Sequence, residues 1–207
     1  MAPAGEAPLR IVMVYRAPLG GLFRNVLDLV RGQIARGHQL GMICDEKPGS
    51  AYSEGLLAEV APLLRLGLVR FDINRNPGFG DIGLMAKIRG ALAAMKPDVV
   101  HGHGSKGGLY ARLCAPRRSG AITAYTPHGG SFNYKPGTAL HKAYMAVEKF
   151  LERRTDVFLF ESDFIRGRYV AHIGEPRRLV KVVRNGIHPG EFVPILPSPD
   201  ADDLVYV

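Results

Sequence analysis

The sequence predicts an α/β protein in which helices cover both faces of a Rossmann-like, doubly wound parallel sheet of about six or seven strands. Short β-branched runs alternate with amphipathic segments along most of the 207 residues, which is the pattern of repeated βα units. Several of these runs are almost wholly apolar, as expected of strands covered on both faces. The composition, with 46% hydrophobic and 22% charged residues, excludes a disordered or collagen-like chain.

The patterns place each element along the chain. The first helix has the clearest period, because apolar residues recur at i, i+4, i+7, i+8 and i+12 from Leu22 to Ile34, and Gly37 suits its C-terminus. Pro97 ends the third helix and starts the fourth strand. The predicted strands are Leu9–Tyr15, Gln39–Cys44, Leu68–Phe71, Asp98–Gly102, Ile122–Thr126, Val157–Glu161 and Leu179–Val183. The remaining predicted helices are Tyr52–Leu64, Ile82–Met95, Lys106–Ala115, Thr138–Arg154 and Phe164–His172.

Cysteine usage and hydropathy predict a cytoplasmic protein. Cys44 and Cys114 lie in apolar surroundings seventy residues apart, which indicates reduced, buried thiols rather than a disulfide framework or a metal site. No apolar run approaches the roughly 20 residues that span a bilayer. Residues 1–8 also lack the basic start and apolar stretch of a signal peptide.

The net charge of +8 is unevenly distributed. Residues 106–184 contain 15 basic and 6 acidic residues, whereas residues 185–207 contain no basic and 4 acidic residues. This positive surplus suits an anionic ligand or a peripheral contact with anionic lipid head groups, and solvated helix faces explain it equally well. Nucleic acid is not an expected partner, because aromatic residues are not interleaved with the basic pairs and the sequence has no reader motif.

Beyond Asn185 the chain changes character. Prolines 194, 197 and 199 and acidic residues 200, 202 and 203 are typical of a linker, and residues 204–207 predict the opening of a new strand. Asp200 and Asp202 form an Asp-x-Asp pair, but they lie in this linker and not after a buried strand. We therefore expect a domain over residues 1–193, and over 194–207 a linker and the start of a second domain. A single domain with a frayed tail is the alternative.

Two glycine-rich loops are expected to face one crevice. Gly20 and Gly21 lead directly into the first helix, where free backbone amides favour a phosphate and glycine allows close approach. His103, Ser105 and Lys106 follow the fourth strand, after His101. In a sheet of strand order 3-2-1-4-5-6, the first and fourth strands flank the point where ligands bind beyond the carboxyl ends. The first loop has neither a dinucleotide fingerprint nor a P-loop, and a glycine pair also serves a simple tight turn.

The histidines allow more than one interpretation. His101 and His103 could share a metal ion, but no third ligand lies at a recognisable spacing, and His101 could equally be hydrogen-bonded at a strand end. His128 follows the fifth strand, between Pro127 and two glycines. A histidine on such a loop can donate a hydrogen bond to a bound ligand or transfer a proton, although it could instead cap the next helix.

Together these segments resemble the N-terminal domain of the retaining glycosyltransferases of family 4, which have the GT-B architecture of two facing Rossmann-like domains. The matching segments occur in order along the chain. They are Ile11–Val14 with Gly20, Gly21 and Arg24; Arg36–His38; Asp98–His103 with Ser105–Gly108; Thr126–Gly129; Glu161–Ser162; and Val183–Ile187 with Phe192.

The resemblance implies a role for each candidate residue. Gly20 and Gly21 would approach the phosphates of a nucleotide-diphosphate sugar donor, and His128 would be a catalytic residue beside the transferring sugar. His103, Ser105 and Lys106 would bind a glycan or polyprenyl-linked acceptor, as in cell-envelope or capsular polysaccharide synthesis. The resemblance implies neither a metal nor a cofactor.

In that family, the basic pair that binds the diphosphate and the Glu-x7-Glu pair that faces the donor reside in the second domain. The resemblance thus implies that this chain alone is inactive. A non-enzymatic module that binds a phosphorylated small molecule is the alternative, since fold alone does not determine function. An NAD-dependent oxidoreductase is disfavoured, because the chain lacks the glycine fingerprint and a suitably placed acidic residue after the second strand.

Overall fold

The computed structural model describes residues 7–75, 78–187, 189–192 and 196. Within them, one sheet contains seven strands in the order β3-β2-β1-β4-β5-β6-β7. Every strand pair is parallel. The predicted doubly wound parallel sheet is therefore confirmed, with β7 added at its edge. The strands are β1 (Arg10–Val14), β2 (Gln39–Asp45), β3 (Gly67–Phe71), β4 (Val99–His103), β5 (Ile122–Thr126), β6 (Val157–Phe160) and β7 (Leu179–Val182).

The helices connect successive strands. They are α1 (Gly20–Ala35), α2 (Ala51–Val60), α3 (Gly80–Met95), α4 (Gly104–Cys114), α5 (Ala139–Glu152) and α6 (Asp163–Ile173). The prediction of one α-helix through Leu64 was wrong at its end, because α2 stops at Val60 and Ala61–Leu63 form a 3₁₀ turn. Pro62 explains the stop, since proline has no N–H for the next helical hydrogen bond. Gly37, with φ of 88°, follows the C-terminus of α1 as predicted.

Alternate residues of β1 supply cores on opposite faces of the sheet. Met13 packs in a cluster with α1 and α2, whereas Val12 and Val14 pack in a second cluster with α3 and α4. Because neighbouring strand residues point to opposite faces, this division explains the apolar character of the whole strand. Cys44 and Cys114 are free and buried in these clusters. Burial raises the pKa of both thiols to about 11.

Helix α4 lies unusually close to the sheet because of its glycines. A Cβ atom on Gly107 would lie 2.2 Å from the backbone oxygen of Val14, and one on Gly108 would lie 2.2 Å from Cε2 of Tyr125. Only glycine fits these positions without movement of the backbone or of a buried ring. The glycines thus place the N-terminus of α4 directly at the carboxyl ends of β1, β4 and β5.

Most of the predicted C-terminal linker lies outside the described residues. Of residues 194–207, only Leu196 belongs to the described part of the chain, so the predicted linker, the Asp200 and Asp202 pair and the new strand lie outside it. Among the described helices, none has both the length and the apolar character needed to cross a bilayer.

Candidate functional site

The loops after β1, β4 and β5 converge on one cleft at the carboxyl edge of the sheet. The cleft has a volume of about 600 Å³, within the range of about 300–1,000 Å³ that is usual for small-molecule sites. Arg16 and Leu19 come from the first loop, His103 and Ser105 from the second, and His128 from the third. The predicted convergence of these loops is therefore present in the structure.

Two histidines from different loops are in direct contact inside this cleft. Nδ1 of His103 lies 3.0 Å from Nε2 of His128. The ring of His101 lies against that of His103, with centroids 3.9 Å apart, and Nε2 of His101 is 2.8 Å from Oγ1 of Thr126. His101 is thus a buried histidine hydrogen-bonded at a strand end, which was one of its two predicted interpretations, while His103 and His128 face the cleft.

Burial keeps all three histidines neutral. Desolvation lowers the pKa of His101 to about 3 and that of His128 to about 4. Desolvation and then the neighbouring His101 hold the pKa of His103 well below its usual value. At neutral pH the rings therefore act as hydrogen-bonding groups, not as cations.

The contact between His103 and His128 couples their outer ring nitrogens. Since each neutral imidazole carries one N–H, a single proton lies between Nδ1 of His103 and Nε2 of His128. If His128 donates it, Nδ1 of His128 is an acceptor and Nε2 of His103 is a donor; if His103 donates it, both assignments reverse. Nε2 of His103 is buried without a hydrogen-bond partner among the described residues. The pair therefore retains one donor and one acceptor on its outer nitrogens.

Backbone geometry positions His128, and a carboxylate lies beside its turn. His128 has a φ of 51°, and Gly129 and Gly130 that follow also have positive φ, of 73° and 36°. Burial raises the pKa of Glu161, just after β6, and is a larger effect than the nearby backbone N–H groups of His128 and Gly129, which lower its pKa. Its Oε2 is buried without a hydrogen-bond partner among the described residues. Successive N–H groups in such a turn form an anion-binding nest, and the Glu161 carboxylate lies beside it.

Lys106 lines the cleft, but its charge is already compensated. Its Nζ lies 2.7 Å from both carboxylate oxygens of Asp81 in α3. The hydroxyl of Tyr110 donates to the same carboxylate at 2.5 Å. The side chain of Lys106 is only 7% exposed. Lys106 therefore ties α4 to α3, and its ammonium group is not free in this structure.

Gly20 and Gly21 begin α1 beside the cleft without lining it. Gly20 has a φ of 66°, and a Cβ atom on either glycine would meet no atom within 4 Å. The neighbouring Leu19 and Leu22 form part of the wall. The first turn of α1 is therefore open to approach at the two predicted glycines.

The described part of the chain contains no group of three or more His, Cys, Asp or Glu side chains arranged to hold a metal ion. His103 is hydrogen-bonded to His128, and His101 is hydrogen-bonded to Thr126.

The model of Glycosyltransferase Family 4 matches residues 19–191, which include all of the cleft-lining residues except Arg16 and Ala17. The chain belongs to glycosyltransferase family 4. A family 4 domain with this sheet order is the Rossmann-like half of the GT-B architecture, so the predicted family and fold are both confirmed.

Known proteins place this family 4 domain within longer chains. It is 30% identical over 123 residues to the putative glycosyltransferase EpsD of Bacillus subtilis (strain 168), covering 56% of this chain and 31% of EpsD. Two solved structures share the fold. A glycosyltransferase from Rickettsia africae ESF-5 has a TM-score of 0.64 at 16% identity, and the match covers 94% of this chain and 47% of the Rickettsia chain. Anabaena Alr3699/HepE, solved in complex with UDP and glucose, has a TM-score of 0.63 at 13% identity, and the match covers 88% of this chain and 48% of the Anabaena chain. The chain thus spans a third to a half of the length of these proteins.

One wall of the family 4 cleft was missed by the sequence analysis. Helix α5 contributes residues at i, i+3, i+4, i+7 and i+11 to it, and Arg75 lines it from the segment after β3. The α5 residues are Leu140, Ala143, Tyr144, Val147 and Leu151. Their helical spacing is visible in the sequence, but an apolar stripe of this kind ordinarily predicts a core-facing side.

Glu148, also on α5, was missed as well and is fully bonded. Its Oε2 accepts from Arg112 at 2.8 Å, and its Oε1 accepts from the hydroxyls of Tyr125 and Ser131 at 3.1 and 3.0 Å. This buried cluster joins α4, β5 and α5 beneath the cleft.

Proposed function

We propose that this chain is the acceptor-side half of a retaining glycosyltransferase that transfers a sugar from a nucleotide-diphosphate sugar to a glycan or lipid-linked acceptor. Its place would be cell-envelope or capsular polysaccharide synthesis in the cytoplasm, in peripheral contact with an anionic membrane surface. The observation that supports the proposal most strongly is the contact of His103 with His128 in a cleft built from three loops of a family 4 domain.

The proposed catalytic group is His128. Transfer requires departure of a nucleoside diphosphate, so hydrogen-bond donors must be aimed where charge develops. A neutral His128 can donate to the transferring sugar from Nδ1 while Nε2 accepts the proton of His103. The positive φ of His128, Gly129 and Gly130 shapes the turn that presents the ring. The fixed orientation matters because a preoriented donor needs no reorganisation during the reaction.

The other predicted residues divide between donor and acceptor. We propose that Gly20 and Gly21 let the donor phosphates approach the N-terminus of α1, where the helix dipole favours an anion. His103 and Ser105 would contact the acceptor hydroxyl from the floor of the cleft. Lys106 would form part of the acceptor wall, with its charge balanced by Asp81.

The donor site would be completed by a second domain. We propose that residues 1–193 form the present domain and that 194–207 lead into the second, which in this family carries the basic pair and the Glu-x7-Glu pair. The lengths of EpsD and of the two solved structures agree with such an arrangement. The 207-residue chain alone is then expected to give no steady transfer, and turnover comparable to that of an intact family member would contradict this.

The decisive experiment substitutes His128 in the full-length enzyme. A panel of nucleotide sugars and polyprenyl-linked acceptors, screened by thermal shift, first identifies substrates. His128→Ala is then expected to lower kcat by about 100-fold or more, as loss of one preorganised donor does. His172→Ala, which removes a histidine on α6 outside the cleft, is the matched control and should leave kcat unchanged. Transfer by His128→Ala within a few-fold of normal would refute the role of His128.

A further inference from the structure

Helix α5 has an unusual distribution of polar and apolar side chains. It buries Glu148 and Glu152 against the domain, where each is at most 5% exposed. Its apolar Leu140 and Val147 are 52% and 44% exposed and line the cleft. Since removal of the remaining exposed apolar area from water is favourable, this apolar face favours a ligand that can cover it.

Apolar side chains outside α5 also line the cleft. They are Leu19 and Leu22 from the start of α1 and Leu109 from α4. Leu19 is 51% exposed. A cleft of about 600 Å³ with this lining can enclose one flexible apolar chain, and it is continuous with the floor formed by His103 and Ser105.

The uncompensated charges of the cleft are positive. Lys106 is paired with Asp81, and Glu148 is paired with Arg112. Arg16 and Arg75 also line the cleft, and no carboxylate of the described residues lies within salt-bridge distance of either. Two free guanidinium groups beside an apolar wall are complementary to a phosphate attached to an apolar chain.

We infer that the acceptor of this chain is a sugar linked through a phosphate or diphosphate to a single apolar chain, and not a free glycan. The apolar chain lies along the α5 stripe, the phosphate is bound by Arg16 and Arg75, and the sugar hydroxyl to be glycosylated reaches His103 and Ser105, so that its oxygen replaces the nucleoside diphosphate as the leaving group departs. This inference rests on the proposed function for the reaction, but the binding of the lipid phosphate follows from the cleft itself.

The test uses isothermal titration calorimetry on the 207-residue chain, with farnesyl phosphate as the probe below its aggregation concentration. Farnesol and inorganic phosphate are titrated separately. We expect farnesyl phosphate to bind at least 10-fold more tightly than farnesol, and inorganic phosphate to show no saturable binding. Absence of farnesyl phosphate binding, or equal affinity for farnesol, would overturn the inference.

Two aspartate variants on the same helix locate the binding site. Val147→Asp places a carboxylate in the cleft, whereas Phe150→Asp makes the same change at an apolar residue that is 57% exposed and outside the cleft. We expect Val147→Asp to weaken farnesyl phosphate binding by at least 10-fold and Phe150→Asp to change it by less than 2-fold. Arg75→Gln should weaken binding of the phosphate and not of the alcohol. Equal effects of the two aspartate variants, as expected if the probe coats the surface, would contradict the inference.

The outcome is separable from that of the proposed function. If the full-length enzyme transfers sugar to a water-soluble glycan and Val147→Asp has no effect on its KM, the proposed function stands and the lipid acceptor is wrong. If farnesyl phosphate binds as described but the full-length enzyme transfers no sugar, the lipid site stands and the proposed function is wrong.

Discussion

Two buried polar clusters lie beside one another at the carboxyl edge of the sheet, and they differ in charge and in backbone conformation. In the Arg112 cluster, opposite charges meet at 2.8 Å with side chains 0% and 4% exposed, and both oxygens of Glu148 are bonded. Nη2 of Arg112 has no hydrogen-bond partner among the described residues, but the guanidinium lies 3.8 Å from the centre of the Tyr125 ring. The histidine cluster has neutral rings, a nitrogen of His103 with no partner among the described residues, and a positive φ at His128. The first cluster joins helices to the sheet, whereas the second retains hydrogen-bonding capacity for a ligand.

The largest effect should come from breaking the paired cluster. Arg112→Ala would leave Glu148 buried without its counter-ion, so we expect the free energy of unfolding to fall by about 3–5 kcal/mol. Urea denaturation measures this. Arg166→Ala, which removes an exposed pair with Glu175, is the control and should cost less than about 1 kcal/mol. Similar losses in the two variants would show that the buried cluster does not hold the helices together.

The histidine cluster should make stability depend on pH. The unfolded chain binds protons at its histidines below about pH 6.5, whereas the folded chain does not, since the pKa values are about 3 for His101, about 4 for His128 and well lowered for His103. The stabilisation that the three neutral histidines contribute is thus complete above about pH 6.5. It is lost as the pH falls toward the pKa values of the folded histidines. We expect a loss of about 1 kcal/mol per histidine between pH 7 and 5.5.

Urea denaturation at the two pH values checks this expectation. His128→Gly should remove about a third of the pH dependence, because one of the three depressed pKa values is lost. A wild-type stability that does not change between pH 7 and 5.5 would mean that the folded histidines bind protons as readily as the unfolded ones.

Helix α4 supports both clusters, and its packing can be tested with a single methyl group. Gly108→Ala would place a Cβ atom 2.2 Å from the Tyr125 ring, so we expect a loss of about 1–3 kcal/mol. Gly90→Ala adds the same methyl group to α3, where no atom lies within 4 Å. That variant should be more stable than the wild type by about 0.5–1 kcal/mol, as alanine favours the helix. A tolerated Gly108→Ala would contradict the close approach of α4 to the sheet.

The smallest effect on stability is expected at His128 itself. In His128→Gly, release of the positive φ offsets the lost hydrogen bond to His103, and we expect the free energy of unfolding to stay within about 1 kcal/mol of the wild type. His128→Ala keeps the strained φ and should be less stable than His128→Gly by about 0.5–1 kcal/mol. Chemical denaturation of both variants makes the comparison. A large loss in His128→Gly would place this residue with the paired cluster and not with the ligand site.

The alternation of apolar runs and amphipathic segments determined the fold and the edge at which the site lies. Right-handed parallel connections place every strand's carboxyl end on that edge, so the loops carrying His103 and His128 could be expected to meet. The residue types also predicted which loops would bind a ligand. These inferences depend on local periods and on the order of elements, which a sequence carries directly.

Only the tertiary structure decided which side chains pair across that edge. Asp81 forms an ion pair with Lys106, 25 residues away in sequence, and Arg112 forms one with Glu148, 36 residues away. Helix α5 turns its glutamates toward the domain and its apolar stripe toward the cleft. A helical period shows that two faces differ but not which one meets the domain. That choice follows from the rotation at which α5 packs on β5 and α4, where burial of Glu148 is compensated by Arg112, Tyr125 and Ser131.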